Sequence, residues 1–589
     1  MDNMVHIKIN NIPVEVEKGT KILEAAKKIN INIPHLCYHP DQTIKAHCRI
    51  CTVEVVGGRR LFAACSTDVW EGMEILTDTK LVRDTQVGIL ELILANHEQN
   101  CLSCARNGKC DLQKLCSRFN VLKPNLPNVA KHIPINDNNP SLVRDLSKCV
   151  KCGRCVKACQ EVQGVAALSH AGRSEDYMIT TAYHKPLEET DCILCGQCSA
   201  VCPVGAIVER DDTQKVLDVL QDPQKHVIVQ VAPSVRVALG DEFGLPKGEV
   251  VTGKMVTALR MLGFNRVFDT NFAADVTIME EGNELLQRLK QNESLPMLTS
   301  CSSGWVNYME KHHGDYLEHL SSVKSPQQIF GALSKSYYPA ATGIDVKDIV
   351  TVSIMPCTAK KYEASRPEMQ QSGVRDVDIV LTTRELTKLI NYVGIDFNHL
   401  AEGEFDSPMG MGTGAGAIFG TSGGVMEAAL RTVYEVYTGK ELVNLDFENV
   451  RGFKGIKEAI IDLGDREIKV AIAHGLRNAE KIMKQIKAGT CEYHFVEVMA
   501  CPGGCIGGGG QPIKSTNDVK IMRMDAIYSI DKSMKIRKSH QNPEVIRLYK
   551  EYLAHPLSEK AHRLLHTRYN KIKKEYEFAY LNDDPVYSL

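Results

Sequence analysis

The distribution of cysteine constrains this chain more than any other feature of its sequence. Its 589 residues carry 21 cysteines, and almost all of them fall in tight groups. An odd number of clustered thiols disfavours a closed disulfide framework. The N-terminus, Met-Asp-Asn-Met-Val-His-Ile-Lys, is polar and lacks the apolar core of an export signal. No apolar run approaches the ~18 residues that span a bilayer. Reduced thiols in the cytoplasm are therefore expected, available as thiolates for soft metals and iron-sulfur clusters.

The most specific pattern is an internal repeat. Cys149-x2-Cys152-x2-Cys155-x3-Cys159 recurs as Cys192-x2-Cys195-x2-Cys198-x3-Cys202-Pro203, with a strand pair around Tyr177, Ile179 and Tyr183 between the copies. Two-residue gaps let three thiolates wrap one set of cubane corners, while the fourth cysteine crosses to the other cluster. The crossing predicts Cys149, Cys152, Cys155 and Cys202 on one 4Fe-4S cluster, and Cys192, Cys195, Cys198 and Cys159 on the other. A pair of zinc ribbons is the competing reading, but zinc sites seldom repeat a three-cysteine run with a trailing Cys-Pro.

Upstream, residues 5–16 alternate apolar and polar about Asn10-Asn11, with Ile7, Ile9, Ile12, Val14 and Val16 on the apolar positions of a hairpin. Thr20 is placed to cap a helix carrying Ile22, Leu23, Ala26 and Ile29 on one face. Cys37, Cys48, Cys51 and, after a short strand, Cys65 follow. This order resembles a β-grasp ferredoxin, and the four thiols suit a 2Fe-2S cluster despite a first gap of ten residues. Zinc, the alternative for the four alone, is disfavoured by the fold pattern and by the cubanes downstream.

From 84 to 96, Val87, Leu90, Ile93 and Leu94 follow helical spacing into His97, Cys101, Cys104 and Cys110. The i, i+4 spacing predicts His97 and Cys101 on one helical face, with Cys104 closing the site from a turn. In isolation a Cys3His set favours zinc. Beside three other redox clusters it reads as a fourth, whose potential the imidazole raises. Pro124, Pro127, Pro134 and Pro140 then mark a linker.

Beyond 225, short apolar strands alternate with amphipathic helices, the texture of parallel sheets with helices on both faces. Strands are expected at 226–231, 267–269, 297–299, 350–355, 379–382, 470–472 and 495–499. Cysteines at 301, 357 and 501–505 follow such strands, and strand C-terminal ends are where these sheets place their sites. Composition agrees with a globular chain of roughly three to five domains. Lys plus Arg total 70 against 72 Asp plus Glu, so a net charge of −2 gives no case for nucleic acid or an anionic membrane as partner.

Three dispersed segments carry the chemistry: Leu298-Thr-Ser-Cys301-Ser-Ser-Gly-Trp305, Met355-Pro-Cys357-Thr-Ala-Lys360-Lys-Tyr-Glu363, and Glu497-Val-Met-Ala-Cys501-Pro-Gly-Gly-Cys505-Ile-Gly-Gly-Gly-Gly-Gln-Pro512. Any one of these cysteines alone would read as an inert buried thiol. The glycines of the third segment would let backbone approach a bulky ligand and donate N–H groups to it. Together the three resemble the signature segments of FeFe hydrogenases. The whole chain is similar to the clostridial-type, multi-cluster members of that family.

The resemblance implies a multidomain α+β and α/β chain: a β-grasp 2Fe-2S domain at 1–83, a Cys3His 4Fe-4S domain at 84–128, a two-cubane ferredoxin-like domain at 129–213, and a two-lobed α/β catalytic domain at 214–589. It implies reversible interconversion of H2 with protons and electrons at an H-cluster, a cubane joined to a diiron unit bearing CO, cyanide and a dithiolate. One 2Fe-2S and three accessory 4Fe-4S clusters would pass electrons to ferredoxin or a flavoprotein, and maturation proteins would supply the diiron ligands. By motif match Cys505 bridges the two iron units and Cys357 and Cys501 ligate the cubane. Lys360 would donate to a cyanide, Met355 and Met499 would pack beside the diiron unit, and Ala232, Pro233 and Ser234 would line the pocket. Glu281, Glu284, Ser321 and Cys301 match the family's proton relay; a solvated acidic helix end is the plainer reading of the two glutamates.

The first segment departs from the family. Where Thr-Ser-Cys-Cys-Pro-x-Trp is common, this chain has Cys301-Ser302-Ser303 with no change in length, so Cys301 takes the relay position and Ser302 the ligand position. Either Cys301 moves onto the cubane, or Ser302 ligates beside a retained Cys301 thiol. Thiolate softness favours the former. Two further functions stay open: the hydrogen-converting subunit of an NAD(P)-linked, electron-bifurcating complex, and a low-activity or sensory homologue. Gly412-Thr-Gly-Ala-Gly-Ala417 is no convincing nucleotide fingerprint, since it follows no apolar strand. The tail 571–589, charged and aromatic, is a frayed end or a docking segment. Cys116 and Cys491 remain as structural thiols.

Overall fold

The structure is a computed structural model that describes residues 3–453, 455–513 and 515–572; most of the tail lies outside these. The chain forms two compact units. No helix among the described residues is long and apolar enough to cross a membrane.

The first unit comprises residues 1–192, 196–210 and 513–517. Its hairpin pairs Met4–Ile9 with Ile12–Glu17, and Asn10 and Asn11 both take positive φ at the turn, which Asn tolerates. Further strands at Glu74–Leu76, Thr52–Val55 and Phe62–Ala63 complete a five-stranded mixed sheet. The helix Ile22–Lys28 packs Ile22, Leu23, Ala25 and Ala26 against it. Thr20 does not cap this helix. Its carbonyl accepts from Val69 N in a strand-like contact, so the helix starts one residue later, after Lys21.

The next helix runs Lys80–Ala95, capped by Thr79 Oγ1, which accepts from Val82 N at 3.2 Å. Its buried stripe is Val82, Gln86, Leu90 and Leu94, and the buried Gln86 is satisfied by donating to the Thr52 carbonyl. The helix ends at Ala95, so His97 and Cys101 lie in the segment after it rather than on a helical face. In the cysteine repeat each copy places two left-handed residues around its second cysteine, Lys151 and Gly153 in one, Leu194 and Gly196 in the other. Between the copies, Ser169–Ala171 pairs with Met178–Thr180.

The second unit comprises residues 193–195, 211–512 and 518–589. Among the described residues it holds two four-stranded sheets. In one, Arg266–Asp269, His226–Val231, Ile349–Met355 and Ile379–Thr382 are all parallel. Ile349–Met355 is buried at every position, as a strand covered on both faces must be. In the other, Met297–Leu298, Phe495–Met499 and Glu467–His474 are parallel, and an antiparallel edge strand Ile456–Asp462 is added. That edge strand has no continuous apolar run, because its residues alternate between exposed and half-buried. The helix Thr270–Gln291, capped by Asp269, is largely buried and carries Glu280, Glu281, Glu284 and Arg288.

Candidate active site

In the first unit the cysteines converge without disulfides. The Cys37 thiol hydrogen-bonds those of Cys48 and Cys65, and Cys51 hydrogen-bonds Cys65, so all four sulfurs of the first set meet. His97 is buried, with one ring nitrogen on the Lys148 backbone and Nδ1 without a hydrogen-bond partner. A ring fixed through one nitrogen and bare at the other is how a ligating imidazole is set. Cys149, Cys152, Cys155 and Cys202 line one small apolar cavity with Leu146, Ile179 and Ile207. Cys192 and Cys159 both lie near Cys198. Cys195 belongs to the second unit, where its charge is felt by Cys501.

In the second unit, four parallel strands end at one cavity of about 80 Å³. His226–Val231 delivers Ala232 and Pro233; Met297–Leu298 leads to Cys301 and Ser302; Ile349–Met355 delivers Met355 and Cys357; Phe495–Met499 delivers Met499, Cys501 and Cys505. The remaining wall includes Thr270, Ala274, Gln327 and Phe419, and Lys360 is its one charged side chain. Ser234 is not part of this wall: it is fully buried, and Gln511 Nε2 donates to its carbonyl at 3.1 Å. Cys357 and Cys501 are hydrogen-bonded to each other, which holds the Cys357 thiol low and the Cys501 thiol high. Burial pushes Cys505 up to about 12.

Lys360 Nζ donates to both Glu363 oxygens and to the Cys301 carbonyl, each at 3.0 Å. Glu363 also accepts from Ser303 Oγ, Ser325 Oγ and Gln327 Nε2. Ser302 occupies the position before the helix Ser303–His312, yet its hydroxyl does not cap it. Instead Ser302 Oγ accepts from Ala500 N at 3.4 Å.

Burial, reinforced by the Glu284 carboxylate, pushes Glu281 up to about 8, with the Ser321 hydroxyl beside it working the other way. The Cys301 thiol is raised well above its ordinary value by burial and then by Glu281, its strongest charged neighbour. Ser321 Oγ donates to Glu284 Oε2 at 2.8 Å, and Arg288 Nη2 pairs with Glu284 Oε1 at 2.7 Å. Cys301, Glu281, Ser321 and Glu284 thus form a succession leading from the cavity to Arg288.

Of the glycines around Cys505, Gly504 lines the cavity, while the peptide N–H groups of this loop are taken up within the protein. Gly504, Gly507, Gly508 and Gly510 donate their N–H groups to the carbonyls of Cys501, Gly504, Cys505 and Pro356. A Cβ on Gly508 would stand 2.3 Å from the Pro356 carbonyl oxygen. They bring protein backbone against protein backbone. Sequence reading also missed Gln511, whose amide donates to Ser234 and to the Cys505 carbonyl and accepts from Thr383 Oγ1, and Glu497, whose carboxylate accepts from Gly423 N and Met426 N. A single polar residue inside a buried strand, as Glu497 is, or in a loop, as Gln511 is, carries no periodicity that would flag it. The Gly412–Ala417 segment packs on the long helix, where a Cβ on Gly412 would meet Asn271 Cβ at 2.2 Å.

Residues 225–509 match the iron only hydrogenase large subunit, C-terminal domain, and 517–572 the iron hydrogenase small subunit. Residues 2–80 match a 2Fe-2S iron-sulfur cluster binding domain, 86–124 the NADH-ubiquinone oxidoreductase-G iron-sulfur binding region, and 139–208 the NADH-quinone oxidoreductase subunit 3 ferredoxin-like domain. The NADP-reducing hydrogenase subunit HndD of Solidesulfovibrio fructosivorans is 47% identical over 97% of this chain and 99% of its own. Iron hydrogenase 1 of Clostridium pasteurianum is 42% identical over 96% of this chain and 100% of its own. A solved structure of an apo FeFe hydrogenase HydA1 variant from Chlamydomonas reinhardtii shares 44% identity with a TM-score of 0.55, covering 62% of this chain and 99% of that one. A cysteine-lined cavity at four strand ends, 2Fe-2S and 4Fe-4S domains before it, and near-complete coverage by such relatives establish that the chain belongs to the FeFe hydrogenases.

Proposed function

We propose that the chain converts H2 to protons and electrons, and the reverse, at an H-cluster held in the strand-end cavity, with electrons relayed through one 2Fe-2S and three 4Fe-4S clusters. The observation that carries this is the convergence of Cys301, Ser302, Cys357, Cys501 and Cys505 on one largely apolar cavity whose charged lining residue is Lys360. The donor set fits: buried sulfurs suit iron, and a lone cation opposite them suits an anionic cluster. When bound, such a cluster supplies the iron site at which H2 is split or formed. Cys357, Cys501 and Cys505 would hold it. Lys360, braced by Glu363 and the Cys301 carbonyl, would present its ammonium to the cluster's anionic ligands, while Ala232, Pro233, Met355, Phe419 and Met499 exclude water.

Cys301 takes the relay position in this reading and Ser302 the fourth ligand position. Two observations support it against the argument from softness: after burial, Glu281 acts most strongly on the Cys301 thiol, and Ser302 Oγ accepts from Ala500 N, next to Cys501. Glu281, pushed up to about 8, both accepts and donates a proton, exchanging it through Ser321 with Glu284, whose carboxylate Arg288 holds in place.

For the electron partner, a cleft of about 420 Å³ in the first unit is lined by Lys27, Lys114, Arg118 and Arg154 against a single acid, Asp111. This supports an acidic carrier such as ferredoxin. A second reading, as the hydrogen-converting subunit of an NADP-linked assembly, is favoured by the 47% identity to a subunit named NADP-reducing. Infrared spectroscopy and gas assay of the anaerobically matured protein test the function. CO and cyanide bands with H2 evolution from a strong reductant are expected; the bands without H2 would overturn the enzymatic reading.

A further inference from the structure

We infer that Glu280, His566 and Ser322 form a positioning triad behind the proton relay, an inference that rests on reading Glu281, Ser321 and Glu284 as that relay. Glu280 neighbours Glu281 on the helix Thr270–Gln291 and is fully buried. Its carboxylate accepts from Tyr549 Oη at 2.6 Å and Leu557 N at 2.9 Å, and meets His566 Nε2 at 3.0 Å. With both oxygens occupied as acceptors, the Glu280 carboxylate fixes the imidazole with its Nε2–H towards it.

The other ring nitrogen, Nδ1, is then free to accept from Ser322 Oγ, 2.8 Å away. The Ser322 peptide N–H donates to both oxygens of Glu284, at 3.2 and 3.1 Å, and the preceding residue supplies the Ser321 hydroxyl to the same carboxylate. Backbone bonds lace the segments together: Thr567 N donates to the Ser322 carbonyl and Lys324 N to the Leu565 carbonyl. The orientation of the relay's last carboxylate therefore depends on a peptide whose side chain is held by an imidazole, itself held by a buried carboxylate.

The bond between serine and imidazole is directional: with Nδ1 accepting, the Ser322 hydroxyl points its proton towards His566 and away from Glu284. The titratable groups facing this imidazole are Glu280 and Glu284 from the long helix, Tyr549 from the segment Tyr549–Leu553, and His562 from the helix Glu559–Leu565, its ring tilted by 42° with centroids 4.2 Å apart. Arg288 pairs with Glu284 on its far side. None of these groups is placed among the cluster ligands.

The test uses the matured full chain with saturating viologen. Ser322→Ala keeps the peptide N–H on Glu284 and removes only the hydroxyl; His566→Phe keeps the ring and removes both hydrogen bonds. Each is expected to lower kcat about tenfold without changing KM for the viologen, because a displaced relay group slows transfer without touching binding. Each is also expected to move the pH profile of kcat by about one unit, with His566→Asn recovering most of the rate through an amide near the Nδ1 position. Unchanged CO and cyanide infrared bands identify variants with a loaded site. Glu281→Gln serves as the reference. If it is inactive while Ser322→Ala and His566→Phe reproduce the wild-type pH profile, the triad is overturned and the relay stands. If Glu281→Gln turns over at the wild-type rate, the relay is overturned and the triad with it.

Discussion

At residue 302 the cavity presents oxygen where residues 357, 501 and 505 present sulfur. A hydroxyl is a harder and far less acidic donor than a thiol, so a cubane held there has three strong ligands and one weak one. Softness alone would draw Cys301 onto the iron. Doing so would pull the thiol from Glu281, and Ser302 Oγ already turns from its own helix to Ala500 N. Protein produced without maturation proteins, in which only the cubane assembles, separates the alternatives. Ser302→Ala is expected to lower cubane iron per chain, and Ser302→Cys to raise it above wild type. Cys301→Ala is expected to keep the cubane and, after maturation, to lose about 10²- to 10⁴-fold in turnover, the usual range for a lost proton-transfer group. An empty cubane in Cys301→Ala would reverse the assignment.

The loop after Cys501 shows how far an element can be read from its residues. Its position after a buried strand was legible, as were the parallel strands of both sheets, because short, mostly apolar runs bounded by turn residues have few other fates. The role of its glycines was not, because a glycine run looks the same whether it admits a ligand or another backbone. The edge strand Ile456–Asp462 and the end of the helix at Ala95 escaped for a related reason: an exposed edge lacks the buried pattern, and helical spacing continues past the residue where the helix stops. Gly508 turns this into a measurement. Its φ is ordinary, so an added methyl acts only through its collision with the Pro356 carbonyl, 2.3 Å away. Gly508→Ala should destabilise the chain by about 1–3 kcal/mol through overpacking. It should also lower iron retention, by moving Cys505 relative to Cys357. Gly88, inside the helix Lys80–Ala95 with nothing within 4 Å of its Cβ position, is the contrast. There alanine should be neutral or stabilise by up to about 1 kcal/mol. Thermal unfolding of the two variants checks both.

For the whole molecule the question is where electrons leave. A chain with a net charge of −2 has no general attraction for anions, so a cationic cleft is a local feature rather than a consequence of composition. Three segments that carry candidate cluster ligands wall it: the stretch from Pro34 to Pro40 around Cys37, the helix Asp111–Arg118 that follows Cys110, and Arg154 between Cys152 and Cys155. A carrier seated there approaches several clusters at once, and Arg154 on the floor is largely buried while Lys27, Lys114 and Arg118 stand exposed at the rim. Rim charges steer encounter more than they hold a complex, so their effect should fall as salt rises. Reversing two of them, Lys114→Glu with Arg118→Glu, should slow reduction of an acidic ferredoxin about tenfold at low ionic strength and much less at high. The viologen-linked rate should be unaffected or slightly raised, since that dye is small and cationic. A ferredoxin rate unchanged at every salt concentration would move the exit elsewhere on the chain and leave the NADP-linked assembly as the better account of its electron partner.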